Sequence, residues 1–122
     1  MKKYCFILLS SLLFFTFSCS TSTDSPIPDD AIPVTLKNTE SYNYNTGITG
    51  DEDGASIIVQ AKHYEVSDII RNVETNWEAV YKYKPRSGFI GTDYVELELS
   101  TGSDGTTPPT KIEIVKLKFI VQ

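Results

Sequence analysis

The chain has 122 residues, which is enough for one domain and too short for a two-domain enzyme. It carries eleven Lys and Arg against sixteen Asp and Glu, and its net charge of −5 becomes −7 without Lys2 and Lys3. An acidic chain without a basic cluster is a poor nucleic-acid binder, because most of that affinity comes from neutralising phosphates. Anionic lipid headgroups would also repel it, so any membrane attachment should come from covalent lipid.

The N-terminus has the pattern of an export signal. Lys2 and Lys3 precede an apolar stretch over residues 6–17. That length suits the apolar region of a signal peptide and is short of the roughly 20 residues that a membrane-spanning helix needs. We therefore predict a signal peptide over residues 1–18.

The signal ends in Thr16-Phe17-Ser18-Cys19, which resembles the lipobox of bacterial lipoproteins. The resemblance implies that Cys19 receives palmitate-type acyl chains, becomes the new N-terminus and anchors the protein in a membrane. Ser20 stands where an Asp is associated with inner-membrane retention, which favours the outer membrane of the cell envelope and leaves the face open. Cys5 lies within the signal, so the folded part has no disulfide and no cysteine metal site. The alternative is a plain secretory signal followed by a stray cysteine.

Residues 19–30 are polar and proline-bearing, and we predict a disordered tether there. From residue 31 to residue 122 the chain is rich in Val, Ile and Thr, which favour strands. Alternating segments bounded by Gly, Asn, Asp or Pro predict an all-β, antiparallel β-sandwich of about seven strands. The predicted strands are residues 32–36, 56–62 (as a central strand), 68–73, 78–84, 94–100 and 111–121.

Three details of these strands are open to test. Val95, Leu97 and Leu99 should face the core, with Tyr94 and the glutamates between them facing outward. In the last strand the apolar residues change phase, which predicts a β-bulge near Ile114 and Val115. A short amphipathic helix over residues 66–72 is an alternative interpretation of that segment.

The most specific motif lies between two predicted strands. Its fixed positions are Tyr83, Pro85, Gly88, Phe89, Gly91 and Asp93. It resembles the bacterial immunoglobulin-like, cadherin-like domains that occur in tandem on cell-surface proteins. The resemblance covers residues from 79 onward and implies an immunoglobulin-like fold. It also implies a role in spacing, adhesion or ligand presentation at the cell surface.

The residue types in this motif point to structural roles. Pro85 should end a strand because it cannot donate to the ladder. Phe89 should close one end of the core, and Gly91 permits a positive φ where the chain turns. Asp93 can accept backbone N–H groups of the turn.

We find no pattern that supports catalysis. His63 is the only histidine, and a relay with Ser67 and Asp68 would be made of sequence neighbours, which rarely form a triad. One histidine without a cysteine in the folded part cannot build a zinc site. We therefore predict a protein that is not an enzyme and has no cofactor.

Two groups of residues are candidates for binding. Asp51 and Asp53 lie in an acidic turn that contains a fragment of a calcium loop, although a solvated turn is the simpler interpretation. Tyr42, Tyr44 and Trp77 could present aromatic rings to a sugar or a protein, although the tyrosines could equally line the core.

These patterns predict a lipid-anchored cell-envelope protein with a non-catalytic domain. Its partners would be the membrane, through the lipid on Cys19, and an unknown protein or glycan, with no nucleic acid. The expected role is protein binding, adhesion or structural support. The alternative is a carbohydrate-binding module of a surface glycan-capture system.

Overall fold

The computed structural model describes residues 25–122. The predicted signal peptide, Cys5 and Cys19 lie outside the described residues. The strands are β1 (Ile32–Leu36), β2 (Tyr42–Asn45), β3 (Gly54–Val59), β4 (Tyr64–Ile70), β5 (Val80–Pro85), β6 (Gly91–Thr101) and β7 (Lys111–Val121), and one 3-10 turn spans Val73–Thr75. Within this part of the chain, no helix has the length and hydropathy needed to cross a membrane.

The strands form two sheets, in the orders β1-β7-β6-β3 and β2-β5-β4. The predicted all-β sandwich of seven strands is therefore confirmed. β1 pairs with β7 in parallel, whereas the other strand pairs in the described chain are antiparallel. The parallel pair arises because β1 and β7 run to the same end of the sandwich, where Gln122 donates its N–H to the Leu36 carbonyl at 3.0 Å.

The core is filled by side chains that alternate along β5, β6 and β7. Val95 and Leu97 are fully buried and Leu99 is 7% exposed, as the alternation predicts. At the centre Phe119 stacks on Tyr83, with 3.8 Å between the ring centroids. Burying such a side chain contributes about 1.5–3 kcal/mol to stability, so this layer is a main source of the fold's free energy.

The predicted β-bulge in β7 is wrong. β7 pairs with β6 in one continuous register from Lys111 to Val121. Ile112 and Ile114 lie on the outer face and are 57% and 41% exposed, whereas Val115 begins the buried phase. The two apolar sets occupy opposite faces because protein surfaces carry many apolar side chains, so no inserted residue is needed to reconcile them.

Two strands, β3 and β4, also differ from the prediction. β3 is an edge strand that spans Gly54–Val59, rather than a central strand over 56–62. β4 begins at Tyr64 and ends at Ile70, so residues 66–72 are mostly strand and not helix. The register shifts are found in these two strands, between Ile57 and Val59 and between Tyr64 and Val66.

The loops gather at the two ends of the sandwich. One end, called here the Asp93 end, holds residues 37–41, 60–63 and 86–90. The other, called here the Trp77 end, holds residues 46–53, 71–79 and 102–110. The candidate sites fall at one or the other of these ends.

Candidate functional site

Asp93 is the central residue of the Asp93 end. Its side chain is 3% exposed. Its carboxylate accepts the backbone N–H groups of Lys62 and His63, each at 2.8 Å, and the Tyr83 hydroxyl at 3.0 Å. Burial and the adjacent Asp93 carboxylate raise the pKa of the Tyr83 phenol, which keeps that hydroxyl a donor. Asp93 therefore accepts backbone N–H groups chiefly from loop 60–63, which is distant in the chain, rather than from its own turn as predicted.

The other motif residues lie next to the same loop, residues 60–63, or in the turn beside it. The Phe89 ring stacks on the His63 ring at 4.3 Å, and Arg86 donates its N–H to the His63 carbonyl at 3.0 Å. Gly91 has φ +144°, and a Cβ there would lie 3.2 Å from the Phe89 Cζ atom. Pro85 is fully buried at the end of β5, and Gly88 turns the chain with φ +78°. The motif thus positions the backbone of loop 60–63 and of the turn before β6.

His63 lies in the bend before β4 and is half-buried. Its Nδ1 atom is buried and makes no hydrogen bond among residues 25–122. A cavity of 580 Å³ adjoins it, between segment 25–28 and β6. The Ser67 hydroxyl contacts Tyr81 and Gln60 instead of His63. His63, Ser67 and Asp68 therefore do not come together as a catalytic relay.

Tyr42 and Tyr44 share a strand face, and that face points toward the core. Both side chains are half-buried and pack against the core cluster. The Tyr42 ring meets Phe119 edge-on at 5.8 Å, and burial is the main cause that raises the pKa of Tyr44. The two residues thus lie on the inner face of their sheet, apart from Trp77.

The acidic turn is tied to its neighbours by hydrogen bonds. The Arg71 guanidinium donates to the carbonyls of Gly50 at 2.6 Å and Asp53 at 3.0 Å. The Asp53 carboxylate accepts the N–H of Gly102 at 3.0 Å, while Asp51 is exposed. Across residues 25–122, no three His, Cys, Asp or Glu side chains cluster as a metal site would require.

Arg71 was not among the residues that the sequence singled out. A lone arginine after a strand carries no pattern, so only the fold reveals that it joins two loops. Its Nε also donates to the Trp77 carbonyl at 2.8 Å.

Trp77 is the most conspicuous residue of the Trp77 end. Its side chain is 61% exposed, and Val73 on the same turn is 76% exposed. Trp77 has φ +62° and follows Asn76 with φ +51°, a left-handed conformation that is rare for a bulky residue. The Trp77 N–H donates to the Asn72 carbonyl at 2.8 Å, and the Asn72 side chain caps the preceding 3-10 turn. Hydrogen bonds to the N–H and the carbonyl of Trp77 therefore hold the backbone that carries the exposed indole.

The two ends differ in charge. The loops of the Trp77 end carry one cation, Arg71, and six carboxylates: Asp51, Glu52, Asp53, Glu74, Glu78 and Asp104. The loops of the Asp93 end carry three cations against one carboxylate: Lys37, Lys62 and Arg86 against Glu40. The acidity of the chain is therefore concentrated at the end that exposes Trp77.

Comparisons with known proteins identify no family for this chain. No protein-family model matches the chain, and no curated protein matches it. Among solved structures, a cysteine protease inhibitor from Entamoeba histolytica is similar with a TM-score of 0.40 and 10% identity, over 74% of this chain and 84% of that one. A similarity at this level carries no argument about function.

Proposed function

We propose that this chain is a lipid-anchored cell-envelope protein, in the outer membrane, whose immunoglobulin-like sandwich is a non-catalytic domain for protein binding, adhesion or support. The lipid anchor rests on the lipobox-like segment and Cys19. One observation most supports the binding role. The described chain begins near one end of the sandwich, whereas Trp77 is exposed at the other end.

The described chain begins near the Asp93 end. Segment 25–28 lines the cavity that His63 and Thr92 also line, and Asp30 pairs with Lys116 at 2.8 Å before β1 begins. Five residues lie between Cys19 and Ser25, so the two positions can be at most about 20 Å apart. A lipid on Cys19 would then keep the Asp93 end near the bilayer and direct the Trp77 end away from it.

The uneven charge supports the same orientation. The loops of the Asp93 end are net basic, which suits a position beside anionic headgroups. The acidic loops lie at the other end, where repulsion from those headgroups is weakest because it falls off within a Debye length of about 8–10 Å. The six carboxylates of the Trp77-end loops thus lie away from the proposed membrane side.

Membrane fractionation of two cysteine variants tests the anchor. We expect wild type and Cys5→Ala to stay with the membrane and to enter the detergent phase, and Cys19→Ala to become soluble. The two variants make the same chemical change on either side of the predicted cleavage point. Membrane retention of Cys19→Ala would contradict the anchor.

The alternative, a carbohydrate-binding module, is favoured by one observation, the exposed Trp77. An exposed aromatic plane is what a sugar ring stacks on. Tyr42 and Tyr44 face the core and so add no second platform in this geometry. Binding on a glycan array that disappears in Trp77→Gly would support this alternative over a protein partner.

A further inference from the structure

We propose that the Trp77 end binds a cationic polypeptide segment, one that presents several Arg or Lys side chains to Trp77 and to the carboxylates around it. The inference rests on the proposed function of the domain as a binding module. It adds the surface involved and the chemical class of the partner.

The three loops of this end form one connected surface. Arg71 joins loop 71–79 to loop 46–53 through the carbonyls of Gly50 and Asp53. The Glu78 carboxylate accepts the N–H of Gly47 at 3.0 Å, and Asp53 accepts the N–H of Gly102. These bonds fix the loops against one another before a partner arrives, so little ordering entropy would be lost on binding.

The indole of Trp77 contributes little to the fold that carries it. It lies outside the core cluster, and its left-handed backbone costs on the order of 1–3 kcal/mol for a residue other than glycine. A glycine would satisfy the same backbone bonds without that cost. A large aromatic ring held outward in a strained turn is suited to contact with another molecule, because indole supplies much contact area from a rigid side chain.

The surrounding charge selects the partner. Glu74 lies three residues before Trp77 on the same turn, and Asp51 and Glu52 are exposed on the neighbouring loop. This field repels nucleic acids, acidic glycans and anionic lipids, and it adds nothing to the binding of a neutral sugar. Arg and Lys gain twice, by pairing with the carboxylates and by stacking on the indole face.

The partner is a polypeptide rather than a single cation because the carboxylates are spread over three loops. Asp51 and Glu52 belong to the first loop, Glu74 to the second and Asp104 to the third. A segment with several spaced cations can reach more than one of them at once, and each added contact raises the effective local concentration of the next.

Trp77 makes the test direct, since it is the only tryptophan in the chain. The full-length protein in a nonionic detergent is titrated with a 12-residue peptide of alternating Arg and Ser, and separately with its Glu-Ser counterpart and with maltohexaose. We expect a saturable change in tryptophan emission with the Arg-Ser peptide alone. Its affinity should fall at least about tenfold between 50 and 500 mM salt, because the contacts are screened charges.

Variants locate the binding surface, with anisotropy of a labelled Arg-Ser peptide as the readout. We expect Trp77→Gly to weaken binding at least about tenfold and Glu74→Gln to weaken it about two- to fivefold. Glu65→Gln is the matched control, because it removes the same charge from β4 near the Asp93 end and should leave the affinity unchanged.

Three results would overturn the inference. They are no response to the Arg-Ser peptide at low salt, equal weakening by Glu65→Gln and Glu74→Gln, or a response to maltohexaose in place of the peptide. The peptide titration is also run on Cys19→Ala. An anchor that fails fractionation leaves this titration intact, so the two proposals fail separately.

Discussion

At each end of this sandwich one charged side chain forms several hydrogen bonds to backbone groups, but the two side chains have different structural roles. At the Asp93 end a buried carboxylate accepts hydrogen bonds from three backbone N–H groups and a phenol, and the surrounding side chains close over it. At the Trp77 end a guanidinium gathers three carbonyls, and an indole is left outside. Asp93 thus completes one end of the core, whereas Arg71 holds the loops of an exposed surface together.

The contrast teaches that a hydrogen-bonded hub does not by itself mark a functional site. The most recognisable motif of the sequence contains Asp93. The Asp93 carboxylate and its hydrogen-bond donors, called here the Asp93 hub, are all groups of the protein itself. The end with the stronger indication of binding contains no recognisable motif. Its evidence is an exposed aromatic, left-handed backbone and an excess of carboxylates.

The largest expected effect is at the Asp93 hub. Asp93→Ala should lower the free energy of unfolding by about 3–4 kcal/mol, because it leaves the N–H groups of Lys62 and His63 and the Tyr83 hydroxyl without their acceptor in a buried place. Urea denaturation measures this. The matched change is Asp104→Ala, which removes a carboxylate with several hydrogen bonds from the exposed Trp77 end and should cost far less. Equal losses would contradict the contrast between the ends.

The next effect is at Arg71. Arg71→Ala should lower the free energy of unfolding by about 2 kcal/mol, since charge-assisted hydrogen bonds to three carbonyls are lost. Arg71→Lys should recover little of it, because one ammonium cannot reproduce the fork of a guanidinium. Arg86→Ala, at an exposed position of the Asp93 end, is the control and should be nearly neutral. Loop 46–53 should also become more sensitive to limited proteolysis in Arg71→Ala only.

Two left-handed positions should respond with opposite signs. Gly91→Ala should lower the free energy of unfolding by about 1–2 kcal/mol, because its φ is unfavourable for alanine and its Cβ would press on Phe89. Trp77→Gly should raise it by about 0.5–1 kcal/mol, because strain is relieved and only an exposed ring is lost. Thermal unfolding of both variants checks the pair. Destabilisation by Trp77→Gly would show that the indole supports the fold.

The smallest effect is in the acid response of loop 102–110. Hydrogen bonds from Thr106 and Thr107 hold the pKa of Asp104 well below the usual range for an aspartate. A lowered carboxyl pKa contributes stability above the unfolded value near 3.8, and this is lost as pH falls through the lower folded value. The amide resonances of Thr106 and Thr107 should therefore stay unchanged at pH 4 and move only in stronger acid. A midpoint near pH 4 would contradict the assigned bonds.

The sequence was most informative where local pattern and burial agree. The limits of β1 and β7 match the prediction, and the alternation of β6 places Val95, Leu97 and Leu99 in the core. Each of these strands has its inner face against the opposite sheet, so side-chain period follows burial directly. The motif also located the turn around Gly91, because the chemistry of that turn is local.

The sequence failed where an apolar residue can face either way. The isoleucines of β7 suggested a bulge, and the register shows that Ile112 and Ile114 lie on the outer face. For Tyr42 and Tyr44 the sequence left both an exposed surface and the core open, and the two residues pack against the core. Period alone gives which residues share a face, and the packing of the second sheet decides whether that face is covered.

By itself the amino-acid sequence determined the strand content, the alternation that commits β6 and β7 to a core, and the turn at Gly91, because all three depend on residues close together in the chain. Only the tertiary structure decided that β3 is an edge strand, that Arg71 joins two loops, that Asp93 bonds to loop 60–63, and that three acidic loops share the end that carries Trp77. Those features depend on which distant segments the sandwich brings side by side. That choice is made by packing of the whole core, so no local stretch of sequence records it.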